Sequence, residues 1–94
     1  MLDTDNFKEE IDSNEKTLVE FGASWCMPCK MVATTLDNLA EKYRVMKIDV
    51  DEEPVITSEY SIASVPTFLV FQNGEIINKA VGAMNQDALE DLLK

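Results

Sequence analysis

The sequence predicts an α/β fold, in which a central mixed sheet is flanked by helices on both faces. In the first half of the chain, helical and strand patterns alternate, as they do where crossover helices join parallel strands. In the second half, two apolar runs flank Asn73-Gly74, the strongest short signal for an antiparallel hairpin. The 94 residues contain no repeat or linker, so we expect a single domain spanning residues 1–94.

The first half predicts three helices and two strands. Phe7 and Ile11 share one face of a short first helix, and the continuous apolar run that follows is typical of a buried strand. Apolar residues at helical spacing then predict a longer helix, followed by a second strand and a helix that begins with proline. The predicted ranges are 5–11 (helix), 17–21 (strand), 31–43 (helix), 45–50 (strand) and 54–60 (helix).

The second half predicts the hairpin and a final helix. Residues 67–71 and 75–80 form the two antiparallel strands, and residues 86–93 form an amphipathic helix against the sheet. The apolar face of that helix consists of Ala88, Leu89, Leu92 and Leu93. The predicted sheet therefore has a parallel part followed by an antiparallel hairpin.

Composition limits the possible functions. The chain has 18 acidic and 8 basic side chains, a net charge of −10, which disfavours nucleic acid as a partner because phosphates need clustered Lys and Arg. The absence of histidine excludes Cys-His catalysis and mixed Cys/His zinc sites. No apolar run approaches the ~20 residues of a membrane helix, and the acidic N-terminus does not resemble a signal peptide. We therefore expect a cytoplasmic protein with no membrane contact.

Both cysteines lie in one run, Trp25-Cys26-Met27-Pro28-Cys29-Lys30, between the first strand and the next helix. Two thiols at this spacing can close a small, reversible disulfide and exchange electrons with other proteins. The free N–H groups at the start of the helix favour a thiolate at Cys26. Two other interpretations are half of a zinc site, completed by a dimer or by carboxylates, and a pair of inert core thiols.

Four features, in order, resemble the thioredoxin family over residues 7–93. The cysteine run resembles the family's Trp-Cys-Gly-Pro-Cys-Lys, and Val65-Pro66-Thr67 occupies the place of its cis-proline segment. Lys47 stands where the family has a buried lysine, and Gly82-Ala83 follows the hairpin where the family has a substrate-facing glycine. The resemblance implies a thioredoxin fold whose first strand is shortened or absent in this chain.

Several positions depart from the family pattern. Glu20, six residues before Cys26, stands where the family typically has a buried aspartate. Met27 replaces the glycine between the cysteines. Gly22 stands where a second tryptophan is common, and Thr34 stands where a helix-kinking proline is common.

The resemblance implies a protein-disulfide reductase that works as a monomer without a bound metal or cofactor. Its partners would be a thioredoxin reductase, which draws on NADPH or another donor, and target proteins that contain disulfides. Cys26 is expected to be the nucleophile and Cys29 the resolving thiol and the more buried of the two. By resemblance Glu20 lies beneath Cys29, with Lys47 nearby, where it can transfer a proton.

The resemblance also implies a docking surface for the target. A cis peptide bond before Pro66 leaves the backbone of Val65 exposed beside the thiols, able to pair with an extended segment. Pro28 limits the freedom of the ring-forming residues. The surrounding shallow and mostly apolar patch consists of Trp25, Met27, Pro28, Ser64, Val65, Pro66, Gly82 and Ala83.

Two alternative functions have other requirements. A glutaredoxin-like reductase needs basic residues for the carboxylates of glutathione, and the rim of this site lacks them. A redox-silent interaction module would keep the fold without turnover. Taken from the residues alone, Glu20 and Lys47 could also be solvated strand residues, and we expect residues 49–53 to be an acidic solvated loop and helix start.

Overall fold

The computed structural model describes residues 1–94. Its elements, in chain order, are a 3-10 turn at Thr4–Asn6, α1 (Phe7–Ile11), β1 (Thr17–Gly22), α2 (Met27–Met31), α3 (Ala33–Leu39), β2 (Arg44–Asp49), α4 (Pro54–Glu59), β3 (Thr67–Gln72), β4 (Glu75–Val81) and α5 (Gln86–Leu93). The strands form one sheet in the order β2-β1-β3-β4. Because β1 and β2 are parallel and the other neighbours are antiparallel, the predicted mixed sheet is confirmed.

Successive side chains on a strand point to opposite faces of the sheet, so the buried strands present apolar side chains on both faces. Helices cover each face. On one face, α3 and α5 cover a core of Leu18, Val32, Leu36, Leu39, Val45, Phe68, Val70, Leu89 and Leu93. On the other face, α1 and α4 cover a second core of Phe7, Ile11, Val19, Phe21, Met46, Ile48, Leu69 and Phe71. Along β1, the side chain of Leu18 therefore points into the first core and that of Val19 into the second core. The side chain of Glu20 is on the same face of the sheet as that of Leu18.

The hairpin between β3 and β4 turns at Asn73 and Gly74, as the sequence predicts. Both residues have positive φ, 55° and 80°, which the tight turn of a two-residue hairpin requires and which Asn and Gly tolerate best. The turn is anchored to the start of the chain, since the N–H of Asn73 donates to the Ser13 carbonyl at 2.8 Å and that of Gly74 to the Ile11 carbonyl at 2.9 Å.

The single helix predicted over residues 31–43 is wrong in its bounds. Helix α2 begins earlier, at Met27, and ends at Met31, and Val32, with φ −93° and ψ −3°, separates it from α3. Helix α3 then ends at Leu39, and residues 40–43 turn back toward β2. No proline or glycine lies at the break, and Val32 itself is buried in the first core.

The residues before α1 form the 3-10 turn and no strand. The backbone N–H of Leu2 donates one hydrogen bond to the Val45 carbonyl at 2.7 Å, on the outer edge of β2. The Thr4 hydroxyl donates another to the Lys47 carbonyl at 3.2 Å, so this segment covers part of that edge. None of the helices has the length and apolar character needed to cross a membrane.

Candidate functional site

The two cysteines lie where β1 passes into α2, and their sulfurs form a disulfide. Cys26 is the N-cap of α2, and its extended backbone is stabilised by a hydrogen bond from its N–H to the Ala23 carbonyl at 3.1 Å. The N–H of Cys29 donates to the Cys26 sulfur at 3.1 Å. This donor favours negative charge on the Cys26 sulfur once the disulfide is reduced.

Both cysteines are buried to a similar degree, with 4% of Cys26 and 7% of Cys29 exposed. The expectation that Cys29 is the more buried is wrong for this disulfide form, because closing the ring packs both sulfurs against Ala23, with Val50 and Val65 around them.

Two large apolar side chains of the motif project from the rim of the site. Trp25 is 68% exposed and Met27 is 63% exposed, although both are types that usually pack inside. Met27 and Pro28 occupy the first positions of α2, where proline is well tolerated because its missing N–H has no partner in a helix. The rim is therefore apolar and open on the side of α2.

The segment before β3 lies against the cysteines from the other side. The Val65-Pro66 peptide bond is cis, as the resemblance implies, and Pro66 is buried. Val65 packs on the cysteine cluster, and neither its backbone N–H nor its carbonyl makes a hydrogen bond within the chain. The Thr67 hydroxyl holds the segment by donating to the Ser64 carbonyl at 2.7 Å. An unpaired stretch of backbone thus lies beside the disulfide.

Gly82 and Ala83 border this segment at the end of β4. The N–H of Gly82 donates to the Pro66 carbonyl at 2.8 Å, which fixes the strand end against the proline. Gly82 has a φ of 96°, which side-chain-bearing residues rarely adopt, and nothing lies within 4 Å of the place where its Cβ would be. The surface above Gly82 is therefore open, and Ala83 beside it is exposed.

Glu20 is a buried carboxylic acid, with 2% of the residue exposed. It lies in β1 between Lys47 of β2 and Phe68 of β3, and its Oε2 atom has no hydrogen-bond partner in the protein. Burial raises the pKa of the Glu20 carboxyl from 4.5 to about 7, and the charge of Lys47 opposes this rise. The carboxyl can therefore gain or lose a proton near neutral pH.

Lys47 is placed differently from the expectation. The parallel register pairs it directly with Glu20, on the face that carries the cysteines, but its side chain is exposed rather than buried. It forms no ion pair with Glu20. Lysine ammonium groups are strongly hydrated, and this one lies on an edge strand where it can reach water. Lys47 acts on Glu20 at a distance through its charge.

Two further residues of the site carry no clear sequence signal. The indole N–H of Trp25 donates to the Asp51 carboxylate at 2.8 Å, in the acidic segment that we expected to be only a solvated loop. Gly22 lies between Glu20 and Cys29, where an added Cβ would be 3.1 Å from Glu20 Oε1 and 3.2 Å from Cys29 Sγ. No three His, Cys, Asp or Glu side chains converge in an arrangement that could hold a metal ion.

The geometry defines the class of protein. On a mixed sheet, the site combines a disulfide whose first sulfur caps a helix, an unpaired stretch of backbone beside it and a buried acid behind it. This combination is a site for thiol-disulfide exchange.

Comparison with known proteins identifies the family. The family model described as Thioredoxin matches residues 1–94. A thioredoxin from Porphyra purpurea is 41% identical over 93 residues, covering 94% of this chain and 87% of the relative. A bifunctional thioredoxin reductase/thioredoxin from Mycobacterium leprae is also 41% identical over 93 residues, covering 95% of this chain and 20% of that protein.

A solved structure gives the same result. A mutant thioredoxin from Halobacterium salinarum NRC-1 superposes with a TM-score of 0.88 at 36% identity, covering 99% of this chain and 84% of that chain. The chain belongs to the thioredoxin family. It is a thiol-disulfide oxidoreductase that reduces disulfides through Cys26 and Cys29.

Proposed function

We propose that this protein carries electrons from a thioredoxin reductase to the disulfides of other proteins, with Cys26 as nucleophile and Cys29 as resolving thiol. The observation that supports it most is the disulfide itself, which lies beside the unpaired backbone of Val65. The relative from Mycobacterium leprae, whose name joins a thioredoxin reductase and a thioredoxin, supports the choice of reductase.

The first step belongs to Cys26. Its thiolate, stabilised by the N–H of Cys29, attacks one sulfur of the target disulfide. A new S–S bond forms between Cys26 and the target, and the second target sulfur leaves as a thiolate that takes a proton from solvent. A lower pKa raises the fraction of a thiol that is present as thiolate but lowers the nucleophilicity of that thiolate. The two effects largely cancel, so the net gain in reaction rate is only about 3-fold.

The second step releases the target. Cys29 loses its proton, and its thiolate attacks the Cys26 sulfur of the mixed disulfide, expelling the target as a second thiolate. The two electrons of the dithiol then reside on the target, and the Cys26–Cys29 disulfide of the described structure is restored.

Glu20 is proposed as the proton acceptor for Cys29. The Oε1 atom of Glu20 and the sulfur of Cys29 lie 3.1 Å and 3.2 Å from the position that a Cβ atom on Gly22 would occupy, so the two groups are near each other. A pKa of about 7 makes the carboxylate a base that is matched to neutral pH. Lys47 assists by its positive charge, which favours the ionised form of Glu20.

Binding of the target beside the cysteines supplies the rest of the rate advantage. The free N–H and carbonyl of Val65 can pair with an extended target segment, as in strand addition. Trp25 and Met27 offer apolar contacts on one side, and the open surface over Gly82 and Ala83 lets a target backbone approach on the other. Pro28 restricts the loop between the cysteines, so less freedom is lost when the ring closes.

We also propose that the chain acts as a monomeric single domain in the cytoplasm. The dithiol must return to the reduced state after each turnover, and reducing compartments maintain that state. Sedimentation at working concentration tests the monomer, and a dimer that dissociates on mutation of the rim would contradict it.

Reduction of insulin tests the proposed function. With NADPH and a thioredoxin reductase, the protein should turn over many insulin disulfides, and Cys26→Ser should be inactive. Cys29→Ser, a matched control, should form a mixed disulfide with insulin but fail to release it. Activity that depends on glutathione instead would indicate a glutaredoxin-like enzyme, and inactivity under both conditions would indicate an interaction module.

A further inference from the structure

The sulfur-containing side chains of the protein differ widely in their exposure. The sequence holds two cysteines and five methionines, and in the disulfide form neither cysteine is free and both are buried. Met27 is 63% exposed and Met31 is 73% exposed, whereas Met46 is fully buried in the second core. Next to the dithiol, the sulfur-containing side chains that solvent reaches are therefore methionines and not the cysteines.

Met27 is the exposed methionine that lies at the dithiol itself. It stands between the two cysteines at the first position of α2, and Met31 follows one helical turn later. Met1 is also exposed, but it precedes Leu2, which bonds to Val45 near the start of β2, at the end of that strand away from the cysteines. A chemical change at Met27 therefore alters the rim of the site directly.

An exposed thioether is a target for hydrogen peroxide. The sulfur atom of Met27 attacks one oxygen of the peroxide, so that an S–O bond forms and the O–O bond breaks. The second oxygen leaves and takes the proton of the transferred hydroxyl, which gives water. The sulfur loses two electrons, the peroxide gains them, and the product is methionine sulfoxide. The two cysteine sulfurs are already bonded to each other and buried, so the disulfide stays intact.

The sulfoxide gives the apolar rim a strong hydrogen-bond acceptor. A target that covers Met27 must then remove water from the new oxygen, which is costly unless a donor replaces that water. The indole N–H of Trp25 is a donor of the same rim, but the Asp51 carboxylate already accepts its hydrogen bond. The rim therefore offers the sulfoxide no free indole N–H in exchange for water.

We propose that Met27 is a site of reversible oxidation by peroxide, and that its sulfoxide weakens the binding of target proteins while the dithiol keeps its reactivity. The motif of the family has glycine at this position, so the thioether is a feature of this chain. The inference rests on the proposed function, in which targets dock against this rim. It adds a control of target binding that is separate from the redox state of the two cysteines.

Mass spectrometry tests the modification. The protein is treated with hydrogen peroxide in its disulfide form, freed of peroxide and digested. Met27 and Met31 should each gain one oxygen atom at least about 10-fold faster than Met46, because access to the thioether controls its oxidation. Both cysteines should be recovered as the disulfide. Oxidation of Met27 no faster than that of Met46 would overturn the inference.

Two substrates test the consequence. Treated and untreated protein are reduced with dithiothreitol, freed of it and mixed with insulin or with a small aromatic disulfide. The second-order rate constant for insulin should fall about 5-fold after treatment, because insulin must cover the polar sulfoxide. The small disulfide, which does not cover the rim, should react at an unchanged rate. Methionine sulfoxide reductases that act on the two sulfur configurations should restore the rate with insulin.

Matched variants assign the effect to one methionine. Each variant is compared with its own untreated sample, so that a change in its starting activity does not enter the result. Met27→Leu should show no loss of insulin reduction after peroxide treatment, since leucine has no sulfur to oxidise. Met31→Leu removes a thioether of equal exposure one turn farther from the cysteines, and it should still show the loss of about 5-fold.

The outcomes separate this inference from the proposed function. If the untreated protein fails to reduce insulin, the proposed function is wrong and this inference is wrong with it. If the untreated protein is active, three results overturn this inference alone. They are an unchanged rate with insulin after oxidation of Met27, an equal loss with the small disulfide, and an equal loss in Met27→Leu and Met31→Leu.

Discussion

The indole N–H of Trp25 donates a hydrogen bond to the Asp51 carboxylate, with 2.8 Å between nitrogen and oxygen. This bond joins the rim of the dithiol motif to the acidic segment, residues 49–53, which follows β2. The segment is itself fixed, because the N–H of Asp51 donates to the Asp49 carboxylate at 2.8 Å and the N–H of Val50 donates to the Gly22 carbonyl at 2.9 Å. The largest exposed side chain of the site therefore has a defined position.

Replacement of Asp51 should loosen the docking surface. In Asp51→Ala the indole loses its acceptor, and a surface hydrogen bond of this kind contributes about 1 kcal/mol, so the KM for a protein disulfide should rise about 5-fold. The fluorescence anisotropy of Trp25, the single tryptophan, should fall. Glu52→Ala removes the same charge and leaves the bond intact. Equal changes in both variants would contradict this role of Asp51.

The stability of the oxidised protein should fall as the pH rises from about 4.5 to about 7. In this window the folded state holds a proton on Glu20 that the unfolded state has lost, because burial raises the pKa to about 7. The loss should amount to about 3 kcal/mol and should be absent from Glu20→Gln. Urea unfolding of both proteins at pH 4.5 and pH 8 measures this loss of unfolding free energy. An equal loss in the two proteins would contradict the raised pKa of Glu20.

Glu20→Gln should slow one step of the reaction and not the other. The amide cannot accept the proton of Cys29, so resolution of the mixed disulfide should slow by about 100-fold at pH 8, and attack by Cys26 should keep its rate. In the unchanged protein the rate of resolution should decrease below pH 7, as Glu20 becomes protonated. Single-turnover kinetics measure both steps, and an unchanged resolution rate would remove Glu20 from the mechanism.

The acidic segment should favour targets with basic residues near their disulfide. None of the carboxylates in residues 49–53 pairs with a lysine or arginine, and the segment borders the site through Trp25. Glu52→Lys should therefore slow reduction of a disulfide peptide flanked by lysines and weaken its salt dependence.

A distant charge change provides the control for that experiment. Glu41→Lys alters the net charge by the same amount but lies in the turn after α3, away from the cysteines. If the two variants change the rate equally, overall charge rather than this segment attracts the target.

The strands and the hairpin could be predicted to within about one residue, because their signals are local. The apolar run of β1, the Asn73-Gly74 turn and the spacing of apolar residues in α5 each act over a few neighbouring residues. The break at Val32 could not be predicted in this way, since neither a proline nor a glycine marks it.

The same distinction applies to the site. The cysteine spacing is visible in one motif, and the family resemblance implied that Lys47 lies near Glu20, which the parallel register confirms. The exposure of Lys47, the bond from Trp25 to Asp51 and the gap above Gly22 depend on segments that only the folded chain brings together. Such contacts have no pattern within a short stretch of sequence.

The central claim is that Cys26 and Cys29 pass two electrons to a protein disulfide, and a single-turnover experiment tests it most directly. Protein reduced beforehand and freed of reductant is mixed with an excess of insulin, and the remaining thiols are alkylated and located by mass spectrometry. We predict that one insulin disulfide is opened for each molecule that acquires the Cys26–Cys29 disulfide. Recovery of both cysteines as free thiols, with insulin intact, would contradict the account.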